Sequence, residues 1–152
     1  MKIASALIAL IAITSTLSAD TELESDFEKR VVEVIESRDF GRLHEVLRIE
    51  GNSRMKLMMG SSTFERAMLL GYTKIEVKKI ERDSPYWPKQ SVIDGSTYVI
   101  DEKEDYWTFS ILYEEPKHPI IGLSKGSTTI LAEYDGHLYV AAVNKQETIK
   151  AE

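Results

Sequence analysis

The dipeptide Asp135-Gly136 lies between two β-rich runs and is the feature that most constrains the fold of this chain. Asp-Gly is a strong hairpin signal, because a type I′ turn needs positive φ at both of its central residues. With these residues in the turn, the register follows by counting outward, and Tyr134 pairs with His137. The sequence therefore predicts an antiparallel hairpin within residues 127–143.

Both faces of this predicted hairpin are largely apolar or aromatic, because directly paired residues share a face. One face carries Leu131, Leu138, Val140 and Ala142, and the other carries Ile130, Ala132, Tyr134, His137, Tyr139 and Ala141. A lone hairpin is marginally stable in water. The ribbon therefore needs further strands and a covering layer from the upstream chain.

Residues 1–19 have the composition of a signal peptide. Lys2 supplies the positive charge, residues 3–13 form an uncharged and mainly apolar run, and small or hydroxylated residues follow. The run is shorter than the ~20 residues that a membrane-spanning helix needs. We expect cleavage after Ala19, with cleavage after Ser18 as the alternative and an N-terminal core helix as the competing interpretation.

The composition limits where the protein works and what it binds. A signal peptide on a chain without cysteine favours a secreted or periplasmic bacterial protein. The net charge is -6, and lysine and arginine are scattered, so no nucleic-acid partner is expected. No basic membrane-surface helix is visible either, so no membrane attachment is expected after cleavage.

Residues 20–152 are predicted to form one α+β domain with an ordered core at about 25–143. This length is sufficient for a domain that buries its own core. The alternation of helical and strand-like patterns along it defines the expected elements.

Three helical segments are predicted in the first half of the domain. The first begins with a capping box at residues 25–28 and continues as an amphipathic stripe. The stripe consists of Phe27, Val31, Val34 and Ile35. The second helix is capped by Asp39 and ends at Gly51, and the third covers residues 52–70 with an interruption at Gly60.

The pattern becomes strand-like after Gly71. The predicted strands before the hairpin are residues 74–82, 97–100 and 106–113. The loop at residues 83–94 contains two prolines and Trp87. We expect Trp87 to clamp this loop to the body of the domain, with a recognition role as the alternative.

Residues 101–105 link two of the predicted strands and carry four carboxylates. A calcium site is one interpretation, but the segment lacks the alternating ligand spacing and central glycine of a calcium loop. A solvated turn is the preferred interpretation, and no metal or cofactor is expected.

The sequence offers no firm assignment of a catalytic residue. Thiol chemistry is excluded, because the chain has no cysteine, and no phosphate loop or zinc-protease helix is found. The alternative is a long-range acid–base pair that joins His137 or His118 to Asp94 or Glu133. No catalytic residue is assigned.

Two segments carry a resemblance to known proteins. They are FEKRVVEVIESRDFGRLHEVL at residues 27–47 and AEYDGHLYVAAV at residues 132–143. With this order of helices and strands, the chain resembles the NTF2-like and cystatin-like α+β superfamily, including secreted members of unknown function. The resemblance implies N-terminal helices packed on a curved four-stranded antiparallel sheet, which together enclose a conical cavity.

Enzymes of this superfamily, such as ketosteroid isomerases and dehydratases, place an Asp base or an Asp/His pair in that cavity. No residue here matches such a motif by position, so no catalytic role is carried over. The function expected is non-catalytic binding of a small apolar molecule in the cone or of a protein partner at the sheet.

Six residues are predicted to line such a pocket. They are Trp107, Phe109, Ile111, Tyr139, Met58 and Phe64. Two alternatives remain, namely a lyase or isomerase that uses an acid–base pair in the cone, and a homodimeric or inhibitor-like interaction module.

Overall fold

The computed structural model describes residues 2–48, 54–89, 91–93, 96–116, 124–141 and 143–145. The helices are α1 (Lys2–Ser37), a 3-10 helix (Phe40–Glu45) and α2 (Arg54–Leu70). The strands are β1 (Tyr72–Lys79), β2 (Ser91–Ile93), β3 (Ser96–Ile100), β4 (Trp107–Tyr113), β5 (Gly126–Tyr134), β6 (His137–Val140) and β7 (Val143–Lys145). None of the helices within these ranges has a stretch long and apolar enough to cross a membrane.

The main sheet is antiparallel and open, with strand order β1-β4-β5-β6. Helices pack on one of its faces, so the predicted α+β class is confirmed. The hairpin of β5 and β6 is also confirmed. Asp135 and Gly136 have φ values of 52° and 82°, and Tyr134 pairs with His137.

The main core lies between this sheet and the helices. The predicted stripe of α1 is confirmed, because Phe27, Val31, Val34 and Ile35 are all buried. Phe109 of β4 meets the Phe27 ring edge-on at 5.6 Å and stacks on the Phe64 ring of α2 at 5.5 Å. Each such aromatic pair adds about 0.5–1.5 kcal/mol beyond the burial of its surface.

Helix α1 also covers the free edge of β1. Its Glu28 and Glu24 carboxylates accept hydrogen bonds from the backbone N–H groups of Val77 and Lys79, each at 3.1 Å. The four-residue spacing on the helix matches the two-residue spacing on the strand. The predicted helix start at residues 25–28 is wrong, because α1 extends from Lys2 to Ser37 and continues through these residues.

The 3-10 helix and α2 differ from the prediction in length and continuity. Asp39 caps the 3-10 helix as expected, its Oδ1 accepting from Gly41 N at 2.8 Å, but the helix has only six residues. Gly60 does not interrupt α2. A Cβ there would lie 3.3 Å from Leu47 Cδ2, so this glycine permits the close approach of α2 to the segment after the 3-10 helix.

A second, three-stranded sheet has the order β2-β3-β7. The predicted strand at residues 97–100 is present as β3, but it pairs outside the main sheet. Strands β2 and β7 were not predicted, because three residues are too few for alternation to be recognised. Helix α1 is already formed from Lys2, and the signal peptide at residues 1–19 stays a prediction.

Candidate functional site

The face of the main sheet that points away from the helices carries a second, smaller core. Its buried members are Ile80, Tyr106, Ala132, Tyr134 and Ala141, against which Trp87, Ile100, Ile130 and Tyr139 pack. Alternate residues of a strand point to opposite faces, so β5 and β6 supply side chains to both cores. This confirms that both hairpin faces are packed.

A cleft of about 830 Å³ lies beside this second core, which is within the usual size range of ligand sites. We call it the outer cleft. It is lined by Arg82, Trp87, Pro88, Lys89, Val99, Ile100, Asp101, Glu102, Lys103, Glu104 and Tyr106. Three cationic side chains in this set balance three carboxylates, although the chain as a whole carries a net charge of -6.

The floor of the outer cleft is aromatic and rigidly tied to the segment at residues 101–105. The ring of Trp87 meets the ring of Tyr106 edge-on at 5.0 Å. The Tyr106 hydroxyl donates to Asp101 O at 2.7 Å and accepts from Lys103 N at 2.9 Å. Trp87 thus clamps its loop to the body as predicted, and Tyr106 holds the acidic segment in place.

The rim of the outer cleft places cations over aromatic rings. The Arg82 guanidinium lies 5.8 Å from the centre of the Trp87 ring, and Lys103 Nζ lies 4.2 Å from the centre of the Tyr134 ring. The Tyr134 hydroxyl in turn donates to Asp101 Oδ2 at 3.0 Å. These contacts fix the positions of two positive charges at the cleft mouth.

The predicted alternative of a calcium site at residues 101–105 finds no geometric support. Among the described residues, no group of three or more histidine, aspartate or glutamate side chains is arranged to hold a metal ion. Glu102 and Glu104 are exposed to solvent, whereas Asp101 is tied to Tyr134.

A second cavity of about 650 Å³ lies on the other side of Arg82. It is lined by Lys79, Ile80, Glu81, Arg82, Asp83 and Asp105. Lys79 Nζ lies 3.0 Å from both Asp105 and Asp20. Burial acts to lower the pKa of Lys79, but the hydrogen bonds to Asp105 and Asp20 outweigh it and raise that pKa, so Lys79 is held as a cation.

The structure separates the residues predicted to line a pocket. Trp107, Phe109, Ile111 and Phe64 come together in the main core, where each is at most 2% exposed. Tyr139 lies on the opposite face of the sheet, in the second core. Met58 belongs to α2, but its side chain falls outside the described part of the chain, so the pocket lining stays a prediction.

An Asp/His pair exists, but it joins different residues from those predicted. His137 Nδ1 lies 3.2 Å from Asp26 Oδ2, which also accepts from Arg30 Nε at 2.9 Å. Glu133 is exposed, and the other predicted partners, Asp94 and His118, lie outside the described residues. The side chains of His137 and Asp26 are 54% and 38% exposed.

The charge of Asp26 is stabilised by its two partners. Burial acts to raise the pKa of Asp26, but the hydrogen bonds to His137 and Arg30 outweigh it and lower that pKa below its ordinary value of 3.8. Asp26 was not predicted, because 111 residues separate it from His137. Arg82 and Lys103 were not predicted as site residues either, and their position beside the Pro-Tyr-Trp-Pro and acidic segments is the local signal that points to them.

Comparison with protein-family models, with curated proteins and with solved structures found no match for this chain. No activity is therefore carried over from a relative, and the function has to be inferred from the site.

Proposed function

We propose that this domain works by non-catalytic binding and that it holds a segment of a protein partner in the outer cleft. The observation that carries the proposal is the cleft itself, with its aromatic floor of Trp87 and Tyr106 and its rim of both charge signs. A few polar groups around an apolar surface are typical of binding sites.

The packing of the main core supports a site on the outer face. The Phe109 ring stacks on Phe64 and meets Phe27 edge-on where a conical cavity was expected, and all three are fully buried. A ligand in that space would have to displace these rings, and interiors packed at this density resist such a change. The outer cleft offers its volume without rearrangement of the main core.

The mixture of charges supports a polypeptide over a small apolar molecule. An apolar molecule would use the floor but would desolvate charged groups at the rim without replacing their water contacts. A polypeptide segment supplies side chains and backbone groups of both polarities, as in other protein interfaces. The balanced charge of the cleft lining suits such a mixed surface.

We also propose an NTF2-like or cystatin-like relationship and secretion to the periplasm or outside the cell. The first proposal is supported by helix α1 packed across an antiparallel sheet whose last hairpin turns at Asp135-Gly136. The second is supported by the composition of residues 1–19.

The binding proposal is tested with peptides selected against the protein from a random library. Val99 lines the cleft and is half-buried, so Val99→Arg fills the cleft with a long side chain. Leu69 of α2 is 76% exposed and lies outside the cleft lining, so Leu69→Arg makes the same change at a control position. We expect Val99→Arg to weaken binding at least about tenfold and Leu69→Arg to leave it unchanged.

Two further measurements keep this test decisive. Near-UV circular dichroism shows whether Val99→Arg keeps the native fold. Glu102→Arg changes an exposed residue of the rim and so repeats the test without changing a buried group. Selected peptides that bind wild type and both cleft variants equally well contradict the proposed site.

A lyase or isomerase is the second candidate, and the Asp26–His137 pair is the observation that favours it. Both side chains are substantially exposed, whereas acid–base catalysis of this kind is favoured where water is excluded. An isomerase activity that is lost in His137→Ala but retained in Val99→Arg identifies the enzyme and places its site away from the cleft.

A further inference from the structure

We propose that the bound segment presents a carboxylate next to an apolar or aromatic side chain, and that Arg82 binds this carboxylate. The inference rests on the proposed binding function and names the chemistry of its ligand. It depends on the position of Arg82, on the cations placed at the nearby aromatic rings and on the apolar surface beside them.

Arg82 lies between the outer cleft and the second cavity and lines both of them. Among the described residues, the Arg82 guanidinium contacts the Trp87 ring and donates one long hydrogen bond, 3.4 Å, to Glu104 O. A guanidinium has five N–H donors in a planar fork. Most of these donors therefore remain for a ligand, and a carboxylate matches the fork in bidentate geometry.

The cations placed at the two aromatic rings favour an anion over a cation at these positions. The rings of Trp87 and Tyr134 already carry Arg82 and Lys103, so a ligand cation that approached either ring would meet a positive charge. The rim carboxylates of Glu102 and Glu104 are solvent-exposed, and water and salt screen their repulsion of an anion. The adjoining cavity adds no such preference, because Lys79 there is paired with Asp20 and Asp105, and the carboxylates of Glu81 and Asp83 are exposed to solvent.

An apolar group next to the carboxylate fits the floor of the cleft. Trp87, Pro88 and Ile100 line the cleft beside Arg82, and Trp87 is held in place by Tyr106. The preformed ring surface needs no ordering before it binds, which favours affinity. A C-terminal aromatic residue and an acidic residue next to an aromatic residue both have this chemistry.

Three small probes distinguish these sources and test Arg82. N-acetyl-phenylalanine has a terminal carboxylate, N-acetyl-Phe-Glu-amide has a side-chain carboxylate, and N-acetyl-Phe-Gln-amide has none. The readout is the indole N–H resonance of Trp87 during NMR titration, with the buried indole of Trp107 as an internal reference. The variants are Arg82→Gln and the control Arg66→Gln, which removes a guanidinium near Tyr113 on the helix side.

We expect at least one carboxylate probe to bind about tenfold more tightly than the glutamine probe, because a charge-assisted pair is worth more than a neutral one. Arg82→Gln should remove this preference, and Arg66→Gln should leave it. The tighter of the two carboxylate probes identifies the terminal or the side-chain source.

Three results would count against the proposal. If the probes shift the Trp87 resonance equally and Arg82→Gln has no effect, the carboxylate inference is wrong and the binding function stands. If Arg82→Gln weakens the glutamine probe as much as the glutamate probe, Arg82 supports the cleft by packing alone, and the inference is again wrong. If none of the probes moves the Trp87 resonance, the proposed binding function fails together with the inference.

Discussion

The two faces of the main sheet use aromatic side chains in opposite ways. On the helix side, Phe27, Phe64 and Phe109 fill the space between layers, and Phe109 contacts both of the other rings. On the outer side, Trp87 and Tyr106 form a surface that supports a cleft and positions charged groups. The same kind of side chain therefore stabilises the fold on one face and forms a site on the other, depending on what covers it.

The difference follows from the covering layers. The described side chains of α1 and α2 include buried apolar residues, such as Phe27 and Phe64, that pack against alternate residues of β4. On the outer face, Trp87 of a loop and Ile100 of β3 pack against the second core, and charged residues near both of them line the outer cleft. Loops positioned by a rigid scaffold commonly carry binding residues.

The largest expected effect is on the helix side. Phe109→Ala should lower the free energy of unfolding by about 3–5 kcal/mol, because it leaves a cavity between the Phe27 and Phe64 rings. Urea denaturation measures the change. Leu112→Ala on the same strand, at a side chain 47% exposed, should change it by less than about 1 kcal/mol, and equal losses would remove the distinction between the faces.

The hairpin turn contributes to both faces at once. Gly136 has φ of 82°, and a Cβ there would meet no heavy atom within 4 Å, so a substitution tests backbone conformation alone. Gly136→Val should lower the free energy of unfolding by about 1–2 kcal/mol, since a β-branched residue resists positive φ. Thermal melts should show a smaller loss for Gly136→Asn, and an unchanged melting temperature for the valine variant would contradict this role of the turn.

On the outer face, the hydroxyl of Tyr106 holds the segment at residues 101–105. Tyr106→Phe removes both of its hydrogen bonds and should lower stability by about 1 kcal/mol. Amide hydrogen exchange of Lys103 should become faster. Tyr139→Phe is the matched control on the same face, and equal exchange in the two variants would show that the hydroxyl does not order the cleft.

The smallest expected effect is the pH dependence caused by Asp26. Because its folded-state pKa is lowered, its interactions contribute stability above the ordinary value of 3.8 and lose it as the pH falls through the folded-state pKa. When the pH is lowered from 7 to below 3.8, the free energy of unfolding of Asp26→Asn should therefore fall less than that of wild type. Urea denaturation midpoints across this pH range measure the difference. Glu133→Gln, at an exposed carboxylate of the hairpin that carries His137, should follow wild type.

Local patterns in the sequence predicted much of this architecture. The stripe from Phe27 to Ile35, the alternation of β4 and the turn at Gly136 each depend on residues close together in sequence, and each is confirmed. Gly60 and residues 25–28 were interpreted by local rules as helix boundaries, yet tertiary packing keeps both segments helical. Propensity near a helix end is a weak signal when neighbouring elements pack against the helix.

The candidate site was less predictable, because it depends on contacts between distant segments. The outer cleft places residues 99–104 beside the loop at Arg82, and no local sequence pattern indicates this contact. The Asp26–His137 contact spans 111 residues. Sequence patterns identified Trp87 as an anchor but could not show which face of the sheet it would cover.

The carboxylates of Glu24 and Glu28 have a consequence for self-association. Unpaired strand edges are templates for pairing with another chain. Because the N–H groups of Val77 and Lys79 are already bonded to these carboxylates, a strand added there must first displace α1. At the other edge, Val140 N donates to Val46 O at 2.9 Å. A second copy of the protein can therefore join the main sheet at these positions only by breaking contacts within its own fold.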